Sequence, residues 1–435
     1  MKKFIAIICI CSLALGLFAC GETGLSSTVA TKVTERVVKA TEKLTNITLE
    51  PLGRENDEDS MPGPLGYGES KNISDVTVDF GFELFRYALE NGDNSLVSPV
   101  SVMAALAMAT DGADGETLAE MERVLGMTNE DLRKYYGSYV HPANSSEELR
   151  FANSLWLRND GSFQVNKNFV ERTLEAYGAD VFSEPFDAET KDKINYWISK
   201  NTDGEIENML GEIPPEAVSY IINTVLFEAE WAEKYNDTSI RENEIFTAAN
   251  GEKQTVTMMG SEENCFVRIG KTKGFIKNYK GGEYAFVGLL PDEGVSVKEA
   301  AASFCGEEFI NAVKNAESKP VDVRIPKFSF DCKFELNDSL KAMGMPSAFD
   351  SSKADFTNLG TSPMGNIYIG RVLHNTFIRF DEAGTKAGAA TAIEFDCEGA
   401  MLDMEYLTFD RPFIYAIVDT STGMPIFIGA VESFN

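Results

Sequence analysis

A chain of 435 residues with 43% hydrophobic content and 29 Phe carries enough apolar material for one large core, which excludes a disordered polymer. Its 39 Lys and Arg against 68 Asp and Glu leave a formal charge of -29, and no basic cluster occurs beyond Lys2 and Lys3, so neither nucleic acid nor a heparin-like polyanion is expected as a partner. Two histidines, His141 and His374, and seven cysteines, three of them within the first twenty residues and the other four widely spaced, give no metal-ligand spacing and little material for a Ser-His-Asp hydrolase; no metal and no cofactor are expected.

In chain order, residues 1–20 read as an address: Lys2 and Lys3, an apolar run from Phe4 to Phe18, then Ala19 and Cys20. Leu17, Ala19 and Cys20 resemble a bacterial lipobox, which would place a lipid on Cys20; a plain secretory signal and an internal anchor are the other readings. Residues 21–74 lack apolar periodicity and contain the acidic tract Glu55 to Asp59, as a solvated tether would. The expectation is therefore an exported protein, lipid-anchored at a bacterial cell envelope, with its domain, residues 75–435, outside the cytoplasm. Helices are expected at Val76–Glu90, Ser101–Ala109, Glu116–Leu125, Phe169–Tyr177 and Asp192–Lys200, the last stopped by Asn201-Thr-Asp-Gly. His141, in a polar stretch, reads as a surface loop residue. Strands are expected at Ser219–Phe227, Tyr284–Leu290, Val321–Phe330, Ile367–Phe380 and Phe413–Asp419. Elements of both kinds around one core imply an α+β fold. Cys265, Cys305, Cys332 and Cys397 are expected as free thiols, because a large core does not need staples.

From Asp381 to Asp410 the pattern changes. Thr385, Ala387, Ala389, Thr391, Ile393 and Phe395 share one face at period two, while Lys386, Gly388, Ala390, Ala392, Glu394 and Asp396 share the other. Small residues are poor choices for a permanent strand and good ones for a segment that slides into a sheet late.

Six motifs recur in order: Asn94-Ser-Leu-Val-Ser-Pro-Val-Ser, Asp111-Gly-Ala-Asp-Gly-Glu-Thr, Ile222-Asn-Thr-Val-Leu-Phe-Glu-Ala-Glu-Trp, Val323-Arg-Ile-Pro-Lys-Phe, Phe380-Asp-Glu-Ala-Gly-Thr and Arg411-Pro-Phe. Together, from about Asp75 to the C-terminus, they resemble a serpin. The resemblance implies three β-sheets, eight or nine helices and an exposed reactive loop near the C-terminus. It also implies a monomeric protease inhibitor, not an enzyme, that traps a serine or cysteine protease in a covalent complex. The protease would cleave the loop, and the freed half would insert into the main sheet and carry the acyl-enzyme on the order of 40 Å along it.

On the matching positions, Glu382, Gly384, Thr385, Ala387, Ala389 and Thr391 would form the hinge; Ser98, Ser101, Asn223 and His374 the shutter; and Trp231 the breach. The polar shutter residues would satisfy one another as a linked cluster. Counting from Thr385 places the scissile bond at Glu398-Gly399, whereas counting back from Pro412 points to Met401-Leu402. Glu398 would suit a Glu-preferring protease; Met401 would suit an elastase, chymotrypsin or subtilisin type. The alternative from another class is a non-inhibitory serpin acting as a tethered binding module or adhesin; loop insertion after cleavage is what separates the two.

Overall fold

The computed structural model describes residues 73–91, 94–141, 145–385 and 404–434. Cys20, the leader, nearly all of the tether, and Ala387, Ala389, Thr391, Cys397, Glu398, Gly399, Met401 and Leu402 lie outside the described residues.

Nine α-helices occur among the described residues: Ile73–Ala88, Pro99–Thr110, Gly115–Leu125, Asn129–Val140, Lys167–Tyr177, Ala188–Asn201, Val297–Ala302, Gly306–Lys314 and Asn337–Met343. Local chemistry sets their ends. Ser98 caps Pro99–Thr110, its Oγ accepting from the Ser101 N–H at 3.4 Å, and Pro99 occupies the first turn, where its missing donor costs nothing. That helix is apolar on every side, and eleven of its twelve residues are buried, as such a helix requires. Ala188–Asn201 begins four residues before the expected start because Asp187 accepts from the Thr190 N–H. It stops where expected: the Gly204 N–H reaches back to the Ser199 carbonyl, with Gly204 at φ 86°.

The largest sheet has nine strands. Its order is Ser95–Val97, Pro425–Val431, Phe413–Asp419, Tyr284–Pro291, Thr272–Asn278, Lys253–Ile269, Glu317–Pro326, Glu405–Thr408, with Ile240–Thr247 also paired to Lys253–Ile269. A second sheet joins Phe328–Glu335, Leu373–Phe380, Gly384–Thr385 and Ala229–Glu230; a third joins Asp180–Glu184, Leu149–Arg158 and Ser219–Phe227. Gly360–Thr361 pairs with Gln164–Val165. This is the expected α+β architecture.

Two expected strands are corrected. The run Val321–Phe330 is two strands in different sheets, because Pro326 lacks a donor and the Lys327 N–H turns to the Thr257 carbonyl. The run Ile367–Phe380 is extended ladder only from Leu373. Before it, Asn337 takes the Val372 N–H and the Gly370 carbonyl, and Ile369 bonds the Ala348 carbonyl. The alternation does not carry through: Ile367 and Ile369 are half-buried, Gly370 and Arg371 are both exposed, and from His374 the buried positions fall on even numbers, while the backbone groups before Leu373 are spent on side chains and a turn.

Among the described residues no ladder joins Ser219–Phe227 directly to Leu373–Phe380. Gly384–Thr385 bridges the upper end, with Thr385 opposite Phe380 on one side and Ala229 on the other. Below it lies a cleft of about 480 Å³ between residues 219–225 and 366–375, floored by Val102, Ala105, Leu106 and Ala109 of the buried helix.

Candidate functional site

The bridge at the top of the cleft is built by the Phe380-Asp-Glu-Ala-Gly-Thr motif. Asp381 Oδ1 accepts from the Ala383 N–H at 2.9 Å and the Gly384 N–H at 3.3 Å, a turn that aims the chain between the two strands. Position 384 has no room for a side chain: a Cβ there would stand 2.1 Å from the Ala229 carbonyl oxygen. Thr385 is buried, its hydroxyl 2.6 Å from that of Tyr279. The Tyr279 hydroxyl is driven to a high pKa by burial and stays protonated. Glu382, which faces outward, pairs with Lys327 at 2.6 Å; that hydrogen bond holds its carboxyl below the usual value.

Trp231 holds this turn from the other side. Its indole N–H donates to the Asp381 carbonyl at 2.9 Å and its backbone N–H to the Ala383 carbonyl at 3.0 Å. The ring stacks on Tyr279 with centroids 4.3 Å apart and meets the edge of Phe380 at 5.2 Å. Beneath it, Lys277 is buried against Glu263 at 2.7 Å, with its Nζ 4.6 Å from the centre of the Tyr235 ring. Desolvating this pair is tolerable only because the charges meet directly.

The four polar residues expected to satisfy one another as one linked cluster lower in the sheet do not do so: Ser98, Ser101 and His374 are joined, and Asn223 is bonded elsewhere. The Ser98 N–H donates to His374 Nε2 at 3.0 Å, which puts the ring proton on Nδ1. Burial lowers the His374 pKa to about 4, so the ring is neutral at pH 7. Asn223 instead donates to Asn153 Oδ1 at 2.7 Å, and Asn153 is itself tied to the Tyr177 carbonyl at 2.8 Å. Ser101, Asn223 and His374 all line the cleft. Along its Ser219–Phe227 wall, Ser219 Oγ, Asn223 Oδ1 and Thr224 Oγ1 are buried without hydrogen-bond partners among the described residues. Unpaired buried polar atoms are costly, and Ser219, Asn223 and Thr224 all line the cleft.

Lys327 stands in the motif Val323-Arg-Ile-Pro-Lys-Phe, whereas Tyr279, Asn153, Lys277 and Glu263 lie outside every motif. Of these four only Asn153 carries a signal, as a lone amide in the apolar run Leu149–Arg158. His141 is half-buried and ends the helix Asn129–Val140, so it is a helix terminus and not a free surface loop residue. Cys265, Cys305 and Cys332 are free thiols. Among the described residues no group of three or more His, Cys, Asp or Glu is arranged to hold a metal ion.

Comparison with known proteins places this geometry. The family model for serpins, serine protease inhibitors, matches residues 75–434. An uncharacterized serpin-like protein of Thermococcus kodakarensis is 31% identical over 376 residues, covering 84% of this chain and 86% of its own. The leukocyte elastase inhibitor of Homo sapiens is 28% identical over 384 residues, covering 83% of this chain and 100% of its own. Among solved structures, the native state of the thermophilic serpin tengpin superposes with a TM-score of 0.78 at 40% identity, covering 90% of this chain and 98% of its own. Thyroxine-binding globulin, solved with thyroxine, superposes at 0.72 with 22% identity and so shares the fold alone.

Proposed function

The chain belongs to the serpin family, and from that premise we propose that it is a suicide-substrate inhibitor of serine or cysteine endopeptidases. One observation carries the proposal: Gly384 and Thr385 already sit as a short strand at the head of a cleft whose two walls are otherwise unjoined. The next residues of the chain are small and alternate, so each would enter the cleft as one more strand residue, burying its inward side chain and pairing its backbone on both sides.

In this mechanism the target's nucleophile attacks a carbonyl within 386–403, forms an ester or thioester, and releases the amine of the downstream segment. The hinge, no longer tethered at both ends, then inserts. Free energy for the movement comes from backbone pairing along both walls and from meeting polar atoms such as Asn223 Oδ1 and Thr224 Oγ1. The downstream side is held apart: Glu405–Thr408 pairs in parallel with Val321–Arg324 in the nine-stranded sheet. Cleavage thus separates two ends anchored in different sheets. Of the two candidate bonds, Glu398-Gly399 is favoured, because insertion length limits the mechanism more tightly than the downstream side.

Export and attachment through a lipid on Cys20 complete the proposal, with the inhibitor standing as a monomer off a bacterial envelope and meeting proteases from outside. Metabolic labelling with a radioactive fatty acid, lost in Cys20→Ser, tests the anchor. The central test incubates the domain with a panel of serine and cysteine proteases. A band at the summed mass that survives denaturation supports trapping, and mass spectrometry of the released peptide chooses between the two bonds. Cleavage without trapping across the panel, and without a rise in thermal stability, refutes inhibition and leaves the binding-module alternative.

A further inference from the structure

The outer face of the nine-stranded sheet carries a hollow that the trapping mechanism does not use. It measures about 460 Å³ and is lined by Tyr235, Arg241, Glu262, Asp322 and Arg324, among others. One rim is the hinge: the Tyr235 N–H donates to the Glu382 carbonyl at 3.1 Å. The other rim is Asp322–Arg324, flanked by the strand that follows the loop, since Asp322 and Arg324 stand opposite Tyr406 and Thr408. The hollow therefore lies between the two points at which the segment 386–403 leaves and rejoins the described fold. Beside that second rim, opposite Asp322, Tyr406 is 67% exposed, more than any other large hydrophobic side chain among the described residues, yet its backbone is fixed in a ladder. Arg324 approaches Asp322 only at 3.9 Å, and Arg241 has no ion-pair partner among the described residues.

We infer that this face is a second docking surface for the target protease, with Tyr406 as its aromatic anchor and Arg324 and Arg241 as its charged contacts. The inference rests on the inhibitory reading for its partner. An enzyme that engages an 18-residue segment tied down at Thr385 and Met404 is held over the surface between those ties. A large, half-apolar side chain already ordered by strand pairing loses little entropy when it is covered, which is what makes tyrosine a frequent anchor at interfaces. The arrangement fits a protease whose rim offers an apolar recess beside a carboxylate, so discrimination between proteases would come from outside the scissile bond as well as from it.

The test uses the full folded domain and whichever panel protease attacks 386–403 fastest. The second-order rate of attack is measured for the unaltered protein, Tyr406→Ala, Tyr406→Phe and Arg324→Gln, with a synthetic peptide of residues 384–404 as the competitor that lacks the surface. We expect Tyr406→Ala to slow attack about tenfold or more and Tyr406→Phe to stay within about twofold. Arg324→Gln should slow it several-fold and flatten its dependence on salt. Attack on the peptide, which contains neither Tyr406 nor Arg324, should be slower than on the unaltered domain. Rates for Tyr406→Ala and Arg324→Gln both within about twofold of the unaltered protein would overturn the inference. Because the readout is attack on the loop, a protease that cleaves without being trapped refutes inhibition while the same rates still decide the docking surface.

Discussion

His374 gives the sharpest pH prediction. It is buried, accepts the Ser98 N–H at Nε2, and titrates at about 4 against an ordinary value of 6.5. The folded pKa is the lower one, so between these values the unfolded chain takes up a proton that the folded chain refuses. The resulting stability is fully present above pH 6.5, falls as the pH drops toward 4, and amounts to about 3 kcal/mol in all. A proton forced onto Nε2 would also set two donors against each other, pushing Leu373–Phe380 away from the start of Pro99–Thr110 and opening the cleft. Two measurements check this. In an NMR titration, with His374→Asn for assignment, one of the two imidazole signals should remain neutral to near pH 4. Urea unfolding at pH 7.5 and 4.5 should show the unaltered protein losing about 2–3 kcal/mol more than His374→Asn across that interval. Both histidines titrating near 6.5, or parallel pH curves for the two proteins, would refute the reasoning.

Three further outcomes follow from the hinge. Thr385→Arg would place an unpaired guanidinium at a buried position beside Tyr279, a cost of several kcal/mol that slows insertion. The stoichiometry of inhibition should then rise about tenfold or more, each factor of ten needing only about 1.4 kcal/mol, and an unchanged stoichiometry would contradict the hinge assignment. Gly384→Val would drive a Cβ onto the Ala229 carbonyl and expel the short strand, costing about 1–3 kcal/mol; because Trp231 bonds the same turn, its fluorescence should change, and an unshifted spectrum with unchanged stability would count against the packing described. Lys327→Met removes the partner of Glu382, but with side chains 30% and 40% exposed the pair is screened, and the loss should stay under about 1 kcal/mol. Since Glu382 is held below 4.5, its contribution is present above that value and disappears as acid protonates it, so denaturation curves of the two proteins should converge at low pH.

How far the chain could be read depended on where the information sits. Ser219–Phe227 and Phe413–Asp419 were legible to the residue because apolar and β-branched runs between turn signals specify strands locally. Asn129–Val140 was missed: its apolar stripe is broken by the polar and aromatic run Arg133-Lys-Tyr-Tyr-Gly-Ser, and its burial of Tyr136 depends on Thr77 and Met103, both far away in sequence. At the site, residues offered by motif could be named, whereas their partners could not. Tyr279 closes over Thr385 from a position 106 residues earlier, just past the strand Thr272–Asn278, and Lys327 reaches Glu382 from the break between Glu317–Pro326 and Phe328–Glu335. Asn223 looked like a partner for His374, yet its nearest amide is Asn153 on the adjacent strand, where antiparallel register sets the two opposite each other. Pairings of this kind are decided by register and topology, which period and composition do not carry.

The last two strands of the chain bear on how a cut molecule would look at the bench. Phe413–Asp419 and Pro425–Val431 lie inside the nine-stranded sheet, between Tyr284–Pro291 and Ser95–Val97, and nearly every residue of both is buried. A break anywhere in 386–403 therefore yields two polypeptides that share one interior, with the short one gripped along both edges as tightly as any core strand. Such a nicked particle would elute, sediment and scatter as a single species, and only denaturation would betray that its backbone is no longer continuous.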